Sequence, residues 1–168
     1  MKHKILLFAL LLASLPMFGA VVSASRLYAG WNAVAPVAEI SNLEDLQSLE
    51  QSGLLRVYQC DQTQCYVPVS IASLELGKGY WVFLDSKALT PPATFLELVM
   101  KQTSATPVEP EAGWNFHGID STASLAWMRP DLVLWSWNLA KFNRTTVKDV
   151  LDDIDNFNPS AAYFFQLP

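Results

Sequence analysis

A chain of 168 residues has the length of one domain or of two small ones. Its 51% apolar share and formal charge of −5 exclude an intrinsically disordered or collagen-like chain, and argue against nucleic acid as a partner, since phosphate binding wants a basic surface. Both figures mix two segments. Residues 1–24 carry Lys2 and Lys4 and no acidic residue; setting them aside lowers the 11 Lys+Arg to 9 against 16 Asp+Glu, a net charge of −7.

The chain opens with a basic stretch (residues 1–4), an apolar run (5–15) broken by Pro16, and small residues up to Ala24. This order reads as a secretory signal peptide cleaved after Ala24. The competing anchor helix has an apolar core too short for about 30 Å of hydrocarbon, and no later stretch reaches span length. The expected product is secreted or periplasmic, with no membrane span after cleavage.

A first strand carries Gly30-Trp31-Asn32 and continues over residues 33–37. Ser41 and Glu44 have capping-box spacing ahead of an apolar stripe, Ile40, Leu43, Leu46 and Leu49, and Gly53 suits the helix stop. Two β-type runs, 54–58 and 66–70, flank Cys60 and Cys65. A hairpin places those side chains opposite each other, and an oxidising compartment favours a disulfide over a redox pair or half of a zinc site. Gly77-Lys78-Gly79 is a turn signal without the spacing of a phosphate loop. An aromatic strand follows over 79–84, and residues 94–100 read as one more strand between proline-rich turns. Further on, Thr146 and Asp149 repeat the capping geometry ahead of Val147, Val150, Leu151 and Ile154, with Pro159 preventing continuation.

These elements repeat. Ala29-Gly30-Trp31-Asn32 recurs as Ala112-Gly113-Trp114-Asn115, and residues 80–84 recur as 163–167, both at an offset of 83. Residues 57–61 align with 134–138 at an offset of 77, which sets Cys60 and Cys65 on Trp137 and Phe142. The expectation is a mainly β fold with short helices, in which two tandem repeats pack as one pseudo-twofold unit around a shared core. Its parts are the leader (1–24), repeat 1 (25–90), a connecting strand with turns (91–111) and repeat 2 (112–168).

Gly30-Trp31-Asn32 with Gly79-Tyr80-Trp81-Val82, and Gly113-Trp114-Asn115 with Trp135-Ser136-Trp137-Asn138, resemble a loosely defined repeat of bacterial secreted and surface proteins. That repeat reads Gly-Trp-Asn-Leu, a Trp-x-Trp-Asp-like hairpin, then Gly-Tyr-Trp-Val. This chain departs from it at Ala33 and Phe116, where Leu is usual, and at Ala162-Tyr163-Phe164 in place of Gly-Tyr-Trp. The resemblance implies an extracytoplasmic β module and carries over no catalytic residue.

Chemistry is sparse. His117 is the single histidine after the leader, with Asp120, Ser121 and Ser124 nearby, but no strand–Gly-x-Ser-x-Gly–helix context exposes a nucleophile. A partly exposed histidine at a strand end is the plainer reading. Asp152, Asp153 and Asp155 are weak calcium candidates: Phe157 takes the next liganding position and no glycine follows, so a solvated acidic helix face fits better. Asn143-Arg144-Thr145 is a glycosylation sequon. Aromatics are the best lead, since exported β modules often stack sugars on exposed rings. Recurrence in both copies suggests core packing for most of them. Trp127 and Trp135 have no tryptophan partner in the first copy, and Trp135 shares a strand face with Trp137, so any ligand platform is expected at Trp127, Trp135 and Trp137. No cofactor is expected. The function read from the chain is an exported, non-catalytic module for a protein or polysaccharide partner at the cell surface. The alternative is a secreted hydrolase with an unrecognised acid/base pair.

Overall fold

A computed structural model describes residues 21–60, 64–101, 109–119, 125, 128–138, 140–153 and 161–168. The fold is mainly β, with short helices and three antiparallel sheets. Residues 1–20, most of the expected leader, lie outside the described residues.

Alternation builds the first four-stranded sheet from β2 (Gly30–Val34), β4 (Leu55–Gln59), β5 (Val67–Val69) and β6 (Tyr80–Leu84), in the order β2-β6-β4-β5. Val34, Leu55, Val57, Tyr80, Val82 and Leu84 point to one face and are buried there. The second sheet takes β8 (Gly113–Gly118), β9 (Val133–Asn138), β10 (Lys141–Thr146) and β11 (Ala162–Leu167), in the order β8-β11-β9-β10. In both, the first strand pairs with the last, and the last with the second.

The registers also agree. Gly30 pairs with Leu84 and Gly113 with Leu167, the same partners shifted by 83. Tyr58 pairs with Trp81 and Trp135 with Phe164, which fixes the middle strand at the expected offset of 77. Cys60 and Cys65 form the disulfide, with Cα atoms 4.0 Å apart. Their counterparts Trp137 and Phe142 are cross-strand partners with ring centroids 5.2 Å apart. One residue breaks the correspondence. Tyr66, at φ 65°, is inserted in the first copy, a β-bulge in the left-handed region that shifts the hairpin pairing by one.

A smaller sheet joins β1 (Val21–Tyr28), β7 (Phe95–Lys101) and β3 (Glu39–Ile40), with β7 in the middle. The expected connecting strand is therefore the centre of a third sheet. β1 begins four residues before the expected cleavage point, and its buried Leu27 lies beyond it. Helix α1 (Leu43–Gln51) lays Leu46 into the first core and ends at Gly53, φ +74°, with Leu54 N–H donating to Leu49 O. Its expected capping box does not form. Ser41 donates instead to Val99 O through both N–H (2.8 Å) and Oγ (3.2 Å), and the Asn42 amide spans Glu97 O (2.7 Å) and Val99 N–H (3.0 Å). Both side chains extend the β3–β7 ladder, so neither turns back to cap the helix. Helix α2 (Val147–Asp152) does carry its expected capping box, Thr146 with Asp149. Val147 is buried, but Leu151 is exposed rather than core, and Ile154 lies outside the described residues.

The expected single core resolves into three clusters. Leu27, Leu98, Met100 and Leu46 pack with the first sheet's inner face, while Ile119, Leu125, Leu134, Val147, Tyr163 and Phe165 pack inside the second copy. Alternation leaves each sheet a second, aromatic face, and these meet in a third cluster: Ala35, Cys60 and Trp81 against Phe116 and Ala162.

Contacts between the copies interchange under the 83-residue offset. Val34 bridges Ala161, and their counterparts His117 and Lys78 bridge each other. Equivalent residues also meet directly: Trp81 lies 6.1 Å from Phe164, and a Cβ on Gly118 would stand 2.5 Å from the Cβ of Ala35. At the second of these contacts one copy carries a methyl and the other none. The Phe116 side chain and carbonyl fill the space beside Gly79, where a Cβ would meet them at 2.7–2.8 Å.

Candidate functional site

The Gly-Trp-Asn motif is a backbone clamp. Gly30 and Gly113 take φ +96° and +99°, open to glycine at little cost. Asn32 Oδ1 accepts from Tyr28 N–H (2.9 Å), while its Nδ2 donates to Tyr28 O (2.9 Å) and Gly30 O (3.1 Å). Asn115 repeats this on Glu111 N–H (3.0 Å), Glu111 O (2.7 Å) and Gly113 O (3.0 Å). With the asparagine turned inward, strand alternation sends Trp31 and Trp114 to the aromatic face.

The two copies then diverge. In the first, Trp31 pairs across the ladder with Phe83 and sits among rings: Phe83 at 5.3 Å, Tyr58 at 5.5 Å and the bulged Tyr66 at 5.7 Å. In the second, the partner of Trp114 is Gln166. Neither Trp114 nor Trp135, the counterpart of Tyr58, meets another ring among the described residues. Trp114 is 58% exposed, against 37% for Trp31. Between Trp114 and Trp135 runs a groove of about 410 Å³ with Gln166, Val133, Arg129 and Asp131 along it.

Arg129 and Asp131 form a two-pronged pair, Nε to Oδ1 at 3.0 Å and Nη2 to Oδ2 at 2.6 Å. The guanidinium holds the Asp131 carboxyl below the usual carboxylate range, and the carboxylate raises Arg129 in turn. The groove thus brings together two indoles, one amide, a locally neutral ion pair and the aliphatic Leu132, Val133 and Leu167. Such a surface suits stacking and hydrogen bonding.

Of the residues expected to form a platform, Trp135 lines this groove. Trp137 does not: its Nε1 donates to Trp31 O (3.0 Å) and its ring meets Trp81 at 5.5 Å, so it holds the copies together. Trp127 lies outside the described residues. Trp114 joins Trp135 although its recurrence pointed to the core. What recurs is the clamp, which directs a tryptophan outward in both copies. The signal that finds the groove is the Phe83/Gln166 difference within the otherwise aromatic last strands.

His117 is not partly exposed as expected but 7% exposed, in the place of the buried Val34. It points away from the groove, because residues 115 and 117 share the inner face of β8. Its Nδ1 lies 2.9 Å from Gly118 O, and Nε2 has no partner among the described residues. Asp120, Ser121 and Ser124 lie outside the described residues. Of the calcium candidates, Asp152 pairs with Lys148 Nζ at 3.0 Å, Asp153 is an exposed turn residue, and Asp155 lies outside the described residues. Among the described residues no helix is long and apolar enough to cross a membrane.

No protein family, curated protein or solved structure matches this chain.

Proposed function

We propose that this protein is an exported, non-catalytic β module that binds a protein or glycan partner through the groove of its second repeat. The reading rests on one observation: the position that closes the aromatic face in the first copy, Phe83, is Gln166 in the second, between Trp114 and Trp135. A buried core gains nothing from that exchange, whereas a ligand face gains an open stacking surface with a hydrogen-bonding floor.

Export is supported by the leader-like amino terminus and by the disulfide, which persists in oxidising compartments. The resemblance to repeats of secreted and surface proteins points the same way. The interchange of inter-copy contacts supports a pseudo-twofold unit, since a twofold contact matches residue i to j and j to i. Hydrolysis is the weaker reading. A general acid must hold its proton near working pH, and Arg129 shifts Asp131 the opposite way.

The test uses the labelled full chain on the envelope fraction of the cells that make it. Saturable binding that falls at least tenfold in Gln166→Phe, with no soluble products released, is the expected result. Product release, or binding indifferent to Gln166→Phe, overturns it.

A further inference from the structure

Resting on that reading, we propose that the groove takes a neutral polysaccharide, its sugar rings stacked on Trp114 and Trp135. The two tryptophans lie on strands β8 and β9 with β11 between them, and their register rows are one two-residue step apart. Two strand spacings and one such step separate their backbones by roughly 12 Å. That exceeds a single sugar ring, so each indole meets a different ring of one chain, and Gln166 lies beneath the stretch between them.

The polar groups select the class. Every pyranose hydroxyl is both donor and acceptor. The groove offers both kinds of partner: amide N–H and guanidinium N–H as donors, amide oxygen and the Asp131 carboxylate as acceptors. A proline-rich peptide, the other common occupant of aromatic-lined grooves, brings mainly carbonyl acceptors. It would bring few donors to the Gln166 amide oxygen or to the lone pairs that the Asp131 carboxylate keeps beside Arg129. A polyanion is disfavoured twice: Arg129 is already neutralised by Asp131, and the chain beyond the leader has 9 basic against 16 acidic residues. Copy 1 is closed. There Phe83 and Tyr66 occupy the space beside Trp31, so stacking is satisfied within the protein and no second site is expected.

The experiment titrates the full chain with neutral hexasaccharides of glucose, xylose and N-acetylglucosamine, with acidic hexagalacturonate and with a polyproline decapeptide. Binding is read by tryptophan fluorescence and calorimetry, and folding of every variant by circular dichroism. At least one neutral hexasaccharide binds, more tightly than its disaccharide, and its affinity falls about tenfold or more in Trp114→Ala and in Gln166→Phe. Trp31→Phe leaves it within about twofold. Tryptophan-dependent binding of hexagalacturonate or polyproline without the neutral sugars overturns this proposal while the binding-module reading stands. Neutral-sugar binding unaffected by either groove variant overturns both. If none of the probes binds, the polysaccharide assignment falls, and the envelope assay above decides the broader reading separately.

Discussion

Gly118 and Ala35 offer the sharpest test of how the copies meet. They are equivalent positions, and a Cβ built on Gly118 would stand 2.5 Å from the Ala35 Cβ, with Gly77 O next at 3.4 Å. Carbon atoms pack best at about 3.5–4.0 Å, so Gly118→Ala demands a shift of about 1 Å. Both groups are methyls fixed to backbone, so no rotamer can absorb it. The shift must move β8 against the hydrogen bond from Gly118 N–H to Gly77 O. Overpacking costs about 1–3 kcal/mol, and an immobile methyl pair belongs in the upper half of that range. Ala35→Gly removes the clashing atom and alone costs about 1–2 kcal/mol, from chain freedom and a lost buried methyl. In the double variant the methyl has changed copies, and stability returns to within about 1 kcal/mol of the parent. Urea denaturation followed by fluorescence and circular dichroism, with m held constant, measures the cycle. A neutral Gly118→Ala, or a double variant no more stable than Gly118→Ala, refutes the packing of equivalent positions.

The clamp predicts an unequal pair. Asn32→Ala strips partners from a residue 4% exposed and costs about 2–4 kcal/mol, whereas Asn115→Ala, at a half-buried position of β8, costs about 1 kcal/mol; equal losses in denaturation midpoint would contradict the account. His117→Val installs the first copy's residue and removes a buried nitrogen with no partner among the described residues, so stability should hold or rise by about 1 kcal/mol; a loss above about 2 kcal/mol would show that His117 makes an essential contact. Thr146 donates to the Asp149 carboxylate and holds its pKa below the usual carboxylate range. The cap therefore contributes fully at neutral pH and is lost only as pH falls through that lowered value. A carboxyl titration by NMR checks this, and an Asp149 pKa at or above the ordinary value would exclude the cap.

Strand segments, the repeat register and the disulfide were legible because they rest on local rules. Alternation, turn residues and a strong self-alignment place β2, β4, β6, β8, β9 and β11 with little tertiary information, and the 83/77/83 offsets reappear as ladder partners. The failures are tertiary. Ser41 matches a capping box, but the unfinished edge of β7 competes for the same hydroxyl and wins. Tyr66 is one residue in a hairpin, and only the pairing on both sides reveals it as an insertion. Trp114 was obscured by the inference that repetition implies burial. Repetition marks whatever the scaffold requires, and here it requires Gly-Trp-Asn as a clamp; whether the tryptophan is covered depends on its ladder partner.

That partner explains why two copies serve better than one. A sheet face lined with indoles is costly to leave open, and a lone repeat would have to cover it to remain stable. Here the first copy closes its face with Phe83 and Tyr66, adds the disulfide and packs its other face on the three-stranded sheet. The second copy has neither the disulfide nor that sheet, and replaces the phenylalanine with glutamine. Its shared contacts run from Phe116, Phe164 and Trp137, on the same face of its sheet as the groove, to Trp81 of the first copy. Stability is thus concentrated where the aromatic faces of the copies meet, and exposure is tolerated at Trp114 and Trp135, which meet no other ring among the described residues. A Phe83→Gln exchange in the first copy should therefore cost stability and create no second groove, because Tyr66 still lies beside Trp31.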